Sequence, residues 1–188
     1  MPLTDLDSDI HPLCQILPSE KTVSGPFVLF NGSFEIEFLQ PDPQRNASTL
    51  FKATYKHGHV LNQKGKSHPQ SPPLHIHFTQ TESFTVLSGC VGTTATPGNG
   101  AIGPAKDQLH TRETTARQPH DIEPWTPHTF WPVSDTDEDT VLLLWATPEG
   151  PFPPMMDRAF FATLLRYLSD VSDNKVAMDI PQVMLNQQ

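Results

Sequence analysis

The sequence is short of cysteine, of charge and of long apolar runs, and each shortage excludes a class of protein. Cys14 and Cys90 are the only cysteines, too few for a disulfide framework, so we expect two free thiols without a metal or redox role. Charged residues make up 18% of the chain, fewer than a coiled coil or a charge-rich disordered protein requires. No run approaches the roughly 20 apolar residues that cross a bilayer. We therefore expect a cytoplasmic protein with no membrane partner.

Basic residues are scarce as well. Lysine and arginine number 12 against 21 aspartate and glutamate residues, which gives a formal net charge of -9. A phosphate backbone would repel such a chain, so no nucleic-acid partner is expected.

Proline is abundant by contrast, with 20 residues in a chain of 188. Proline removes a backbone donor and fixes φ, which favours short strands and many turns over long helices. The length is typical of a single domain. The composition therefore predicts an all-β fold with one compact domain.

Apolar patterning indicates where the strands lie. The pair Asn31-Gly32 separates two apolar runs and predicts a β-hairpin, because both central residues of such a turn need a positive φ. Further strands are predicted over 50–55 and 81–87. The continuous run Val141–Trp145 is typical of a strand buried on both faces.

One helix is predicted near the end of the chain. Its apolar stripe follows Asp157 and consists of Phe160, Phe161, Leu164, Leu165 and Leu168. We therefore divide the chain into an N-terminal arm over 1–24, a β-barrel over 25–150, and a flanking C-terminal helix and tail over 151–188.

Four residues have the chemistry of a metal site. His75 and His77 would point to one face of a strand, and a turn after them would bring Glu82 back onto the same face. His128 would complete the site from a distant strand. Three imidazole nitrogens and one carboxylate oxygen suit a divalent first-row ion: Fe, Mn, Ni, Cu or Zn.

The other histidines lack this pattern. His57 and His59 have the same spacing, but no carboxylate follows them at five residues, so we expect a strand end or a pocket wall. His68, His110 and His120 lie in polar, turn-rich surroundings and are expected to be solvated.

The residues from His75 to Gly89 resemble the first motif of the cupin superfamily, HxHx₃₋₄Ex₆G, at every defining position. The segment Ile122–His128 is similar to the second motif, with Glu123 in place of the usual proline and Trp125 in place of the usual glycine. The resemblance covers roughly residues 27–147. The C-terminal helix resembles that of single-domain (cupin-2 type) proteins of filamentous fungi.

The resemblance implies a small jelly-roll barrel in which His75, His77, Glu82 and His128 hold the metal. It also implies a metal-dependent enzyme for a small oxygenated substrate of enolic, phenolic or polyketide type, in secondary metabolism. A dioxygenase-type oxidoreductase is favoured. A redox-neutral isomerase, cyclase or decarboxylase on the same metal, and a non-catalytic binder of small ligands, stay open.

Several residues receive further roles. Glu82 is expected to act as a catalytic base in addition to binding the metal. Phe84, Trp125 and Phe130 are predicted to line the substrate pocket, Trp125 above all because it replaces a turn glycine beside a ligand. Because cupins often dimerise through N-terminal strands, the run Phe27–Phe30 predicts a homodimer.

Overall fold

The computed structural model describes residues 10–97, 103–150 and 156–179. The parts of the predicted arm at 1–9, of the predicted barrel at 98–102 and of the predicted C-terminal helix and tail at 151–155 and 180–188 lie outside these residues. Within them the chain forms two antiparallel sheets and a C-terminal helix, which confirms the predicted all-β fold. The elements are β1 (Thr22–Leu29), β2 (Phe34–Leu39), β3 (Thr49–Tyr55), β4 (Thr81–Ser88), β5 (Cys90–Ala95), β6 (Lys106–Thr111), α1 (Arg112–Thr115), β7 (His120–Ile122), β8 (His128–Pro132), β9 (Thr140–Thr147) and α2 (Arg158–Ser172).

The two sheets enclose one core. The larger sheet has the strand order β1-β2-β3-β9-β4-β7, and the smaller has the order β6-β5-β8. Their facing side chains belong to one hydrophobic cluster, with Phe51, Phe84 and Leu144 from the larger sheet and Val91 and Phe130 from the smaller. This shared core holds the sheets face to face, as in a jelly roll.

The predicted hairpin joins β1 to β2, with Leu29 opposite Phe34. Its turn is longer than the Asn31-Gly32 pair, since Phe30 also has a positive φ of 50°, beside 54° for Asn31 and 88° for Gly32. Phe30 is fully buried, so the turn directs an aromatic ring into the core.

Strand β9 is buried on both faces, as its apolar run predicts. Leu142 and Leu144 belong to the core between the sheets, whereas Leu143 and Trp145 belong to a second cluster on the outer face. Residues 10–21 lie outside the sheet, and Leu13 packs against this outer cluster.

Helix α2 flanks the barrel where it was predicted. The Asp157 side chain caps the helix by accepting a hydrogen bond from the Phe160 N–H at 2.7 Å. Leu165 is buried in the core, and the Ser169 hydroxyl accepts the Phe30 N–H at 2.7 Å. Neither described helix is long and apolar enough to cross a membrane.

The expectation that His68, His110 and His120 are solvated is wrong. His68 and His110 are buried and His120 is half-buried. His68 Nε2 lies 2.9 Å from the Ser33 hydroxyl, and His110 Nε2 lies 2.8 Å from the Thr93 hydroxyl. These distant hydroxyls satisfy the imidazoles, and burial lowers the pKa of both to about 4.

Candidate metal centre

The four predicted ligands converge. One nitrogen or oxygen atom from each of His75, His77, Glu82 and His128 lies within 4.8 Å of the corresponding atom of every other. Glu82 lies on β4 and His128 is the first residue of β8, whereas the other two histidines lie on the segment before β4. The cluster therefore joins the two sheets.

A backbone bridge places the first histidine against the last. The His75 N–H donates to the His128 carbonyl at 3.0 Å, and the His128 N–H donates to the His75 carbonyl at 2.9 Å. The segment around His75 and His77 is reduced to this single bridge instead of a regular strand. The prolines at 72 and 73, which have no N–H to donate, precede it.

Glu82 lies at the centre of the cluster. Its Oε2 lies 2.9 Å from His128 Nε2 and 3.2 Å from His77 Nε2. The His75 ring is 4.4 Å from the His128 ring and 4.9 Å from the His77 ring between centroids. Both Glu82 and His128 are buried, while His75 and His77 are half-buried.

Backbone carbonyls orient two of the imidazoles. His75 Nδ1 lies 3.0 Å from the Pro73 carbonyl, and His128 Nδ1 lies 2.7 Å from the Thr126 carbonyl. A carbonyl only accepts, so each Nδ1 carries a proton and each Nε2 is left for the cluster. This is the usual second interaction of metal-binding histidines.

The electrostatics of the cluster reflect its burial. Burial lowers the pKa of His75 to about 4, and the neighbouring His128 adds to the effect. Burial alone would raise the pKa of Glu82, but its hydrogen bonds with His128 and His77 outweigh burial and hold it well below its usual range. For His128, burial opposes the charged form, yet the bond to Glu82 raises its pKa. The buried carboxylate therefore stays charged.

This donor set fits a divalent transition-metal ion. Three imidazoles and one carboxylate supply the nitrogen and oxygen ligands that first-row ions prefer. Two atoms that bind one ion at about 2.0–2.2 Å lie at most about 4.4 Å apart, so a pair at the 4.8 Å limit would move closer by about 0.4 Å when the ion binds. The side chain of His77 is 17% exposed against 1% for His128, so the site opens on the His77 side.

The three predicted pocket residues occupy different environments. Phe84 is fully buried, next to His110, His120 and Phe130 in the core. Phe130 is also buried and lies 5.9 Å from the His128 ring between centroids. Trp125 is instead 62% exposed. The lining role of all three stays a prediction.

The second His-x-His pair lies apart from the cluster. His57 and His59 follow the end of β3, and His59 Nε2 lies 3.1 Å from the Asn31 carbonyl. Among the described residues, the cluster around Glu82 is the only group of three or more side chains that could hold a metal ion.

The sequence reasoning missed Phe78, which directly follows His77. Its ring is 53% exposed and contacts the Trp125 ring at 4.8 Å between centroids. A large apolar residue in a turn next to a predicted ligand was the available signal.

No family model matches the chain. The chain is 33% identical over 153 residues to the oxidoreductase iacF of Pestalotiopsis fici, an alignment that covers 81% of this chain and 68% of that protein. The chain belongs to the family of this fungal oxidoreductase. It is also 30% identical over 149 residues to the probable oxidoreductase virH of Hypocrea virens, covering 79% of this chain and 60% of that protein.

The family members are longer than the matched region, since the chain spans about two thirds of iacF and 60% of virH. Among solved structures, the cupin domain of Drosophila melanogaster CENP-C has a TM-score of 0.41 at 9% identity, covering 68% of this chain and 75% of that one.

Proposed function

We propose that this chain is a metal-dependent oxidoreductase that acts on a small oxygenated organic molecule in secondary metabolism. The substrate would be of enolic, phenolic or polyketide type. The observation that carries the proposal is the convergence of His75, His77, Glu82 and His128 on one point. The ion would be Fe, Mn, Ni, Cu or Zn, all of which accept this donor set.

The names of the relatives favour oxidation over redox-neutral chemistry. Both iacF and virH are named oxidoreductases, and the chain shares about a third of its aligned residues with each. When bound, the ion would polarise a substrate oxygen or activate dioxygen.

The four ligands differ in exposure. His75 and His77 are half-buried, so the substrate would approach the ion past them, whereas the buried Glu82 and His128 would hold the ion in place. The Phe130 ring lies 5.9 Å from the His128 ring and packs with Phe84 in the core, so these two rings would keep water from reaching the ion from the core side.

Glu82 is assigned a second role as a base. It is the only carboxylate of the cluster, and one oxygen, Oε2, makes both contacts with the imidazoles. A carboxylate that binds through one oxygen keeps the other for a proton, so Glu82 could accept a proton from a substrate held beside it.

The proposal is tested by metal titration of the full chain. Protein stripped with a chelator is titrated with Zn²⁺, Mn²⁺ and Fe²⁺, the last without oxygen, and binding is followed by calorimetry. We expect one ion per chain. His77→Ala removes one of four ligands and should weaken binding at least about 100-fold, a loss of roughly 2.7 kcal/mol.

His59→Ala is the matched control, because it removes an imidazole of the same spacing outside the cluster. This variant should bind the ion as the wild type does. If His77→Ala and the wild type bind all three ions equally, the metal centre is refuted.

A further inference from the structure

Trp125 has a backbone conformation that suits glycine. It is the third residue of a turn in which the Thr126 N–H donates to the Glu123 carbonyl at 3.2 Å, and its φ is 66°. Pro124 precedes it, as is common at the second position of a turn that prefers glycine at the third. A bulky residue with such a φ is uncommon and strained.

Burial of the indole does not offset this strain, because Trp125 is 62% exposed. Residues held in such conformations cluster at functional sites, where the side chain is needed at that position. The strained conformation and the exposure together indicate that the indole contacts another molecule instead of packing within the protein.

A second exposed aromatic ring lies beside it. Phe78 is 53% exposed, and its ring meets the indole at 4.8 Å between centroids with 68° between the planes. We call this pair the aromatic platform. Two rings at this angle form a corner. A third flat ring placed in it can stack on the face of one ring and point its edge at the face of the other.

The platform is attached to the metal cluster. The Trp125 N–H donates to the His77 carbonyl at 2.8 Å, and Phe78 is the next residue after His77. His77 also lies on the side where the cluster opens. A molecule bound to the platform therefore lies next to the half-buried ligands.

We propose that the aromatic platform of Trp125 and Phe78 binds the ring of an aromatic or conjugated cyclic substrate and directs its oxygen substituent to the metal. This inference rests on the proposed function, and it narrows the substrate class to flat ring compounds. A protein partner fits less well. Stable protein interfaces bury roughly 1,200–2,000 Å² in total, far more than two side chains supply.

The test is direct binding of catechol, a flat aromatic diol, to the full chain loaded with Zn²⁺, which does not oxidise it. The saturated trans-1,2-cyclohexanediol serves as the second probe. Trp125→Gly should weaken catechol binding about tenfold, the size expected for losing one stacked ring. It should leave the weaker binding of the saturated diol unchanged.

The melting temperature separates this effect from a loss of structure. Glycine suits a φ of 66°, so Trp125→Gly should melt no lower than the wild type. Phe78→Leu should weaken catechol binding by a smaller factor. Leu109→Ser is the matched control, because Leu109 is also 53% exposed but lies on β6, and it should change neither affinity.

Equal catechol affinities of the wild type and Trp125→Gly, with Zn²⁺ bound to both, would overturn the platform and leave the metal centre intact. Failure of the wild type to bind Zn²⁺, Mn²⁺ and Fe²⁺ would overturn the proposed function instead. The aromatic platform would then be tested with metal-free protein. Catechol should quench the indole fluorescence of the wild type more than that of Trp125→Gly, and equal quenching in the two proteins would refute the platform.

Discussion

Two glutamates, Glu20 and Glu82, are buried among the residues that the structure describes, and their surroundings differ. Glu20 forms an ion pair with Arg45, and both side chains are fully buried. Arg45 also donates to the carbonyls of Leu13 and Gln15 at 2.8 and 2.7 Å. Among the described residues, the hydrogen-bond and ion-pair partners of the Glu82 carboxylate are the imidazoles of His77 and His128. In the described part of the chain, Glu20, Glu82 and Arg45 are the only buried acidic or basic side chains apart from histidine.

The difference indicates two functions for a buried carboxylate. Burying a charge is costly unless a counter-charge and hydrogen bonds accompany it. Glu20 has a permanent counter-charge within the chain, and the pair fixes residues 10–21 against the outer face of the large sheet. Glu82 is surrounded by groups that are also metal ligands, so a cation from outside the chain would supply its counter-charge.

The largest expected effect comes from breaking the permanent pair. Glu20→Gln leaves the Arg45 guanidinium buried without its partner and should lower the free energy of unfolding by about 3–5 kcal/mol. Urea denaturation measures this, and the loss should be the same with and without Zn²⁺. Glu37→Gln is the control, because its partner Lys52 is 32% exposed and the expected loss is below about 1 kcal/mol. Equal losses in both variants would contradict the account of Glu20.

Acid should destabilise the fold through His68 and His110, whose rings bind hydroxyls instead of Glu20 or Glu82. This loss of stability adds to any effect of the two glutamates at low pH. The pKa of His68 and of His110 is about 4 in the folded protein, below the ordinary 6.5. Folding therefore favours the neutral rings, and this stability is present above pH 6.5 and is lost as the pH falls towards 4. Each ring accounts for up to about 3 kcal/mol.

The measurement is urea denaturation at pH 7 and pH 4.5. His110→Gln should lose less stability between these two values than the wild type does, because one of the neutral rings is gone. His120 also faces His110, with ring centroids 4.3 Å apart, and stays in place in this variant. An unchanged difference between the two pH values would contradict the assignment.

Metal should stabilise the protein through the cluster that contains Glu82 and not through Glu20. With free Zn²⁺ at about 100 times its dissociation constant, the free energy of unfolding should rise by about 2.7 kcal/mol. For a chain of this size, the melting temperature should rise by roughly 5–10 °C. Glu20→Gln should show the same increase, and Glu82→Gln at most half of it. An undiminished increase in Glu82→Gln would place the ion elsewhere.

The smallest effect is expected for Glu82→Gln without metal. The amide keeps the volume and its N–H can donate a hydrogen bond to His128 Nε2, so the free energy of unfolding at pH 7 should change by less than about 1 kcal/mol. If the loss in free energy of unfolding were near that of Glu20→Gln, Glu82 would form a structural ion pair with the imidazoles of the cluster.

The sequence was most informative where neighbouring residues determine the outcome. The positive φ at Asn31 and Gly32, the double burial of Val141–Trp145 and the Asp157 cap depend on local chemistry, and all three agree with the structure. The convergence of His75, His77 and Glu82 also depends on neighbouring residues, because a short turn returns the chain to the same face.

The sequence was least informative where distant residues decide. His68 and His110 are buried because hydroxyls of Ser33 and Thr93, many residues away, satisfy their rings. The pairing of Glu20 with Arg45 likewise depends on how the arm folds back onto the sheet. No local pattern indicates these contacts.

The central claim is that Glu82 and three histidines hold one metal ion. X-ray absorption of the Zn²⁺-loaded full chain measures this directly, since it reports the type and number of ligands. We expect three imidazole nitrogens and one carboxylate oxygen at about 2.0–2.2 Å. A spectrum with fewer than two imidazoles, or with sulfur from a cysteine, would contradict the claim.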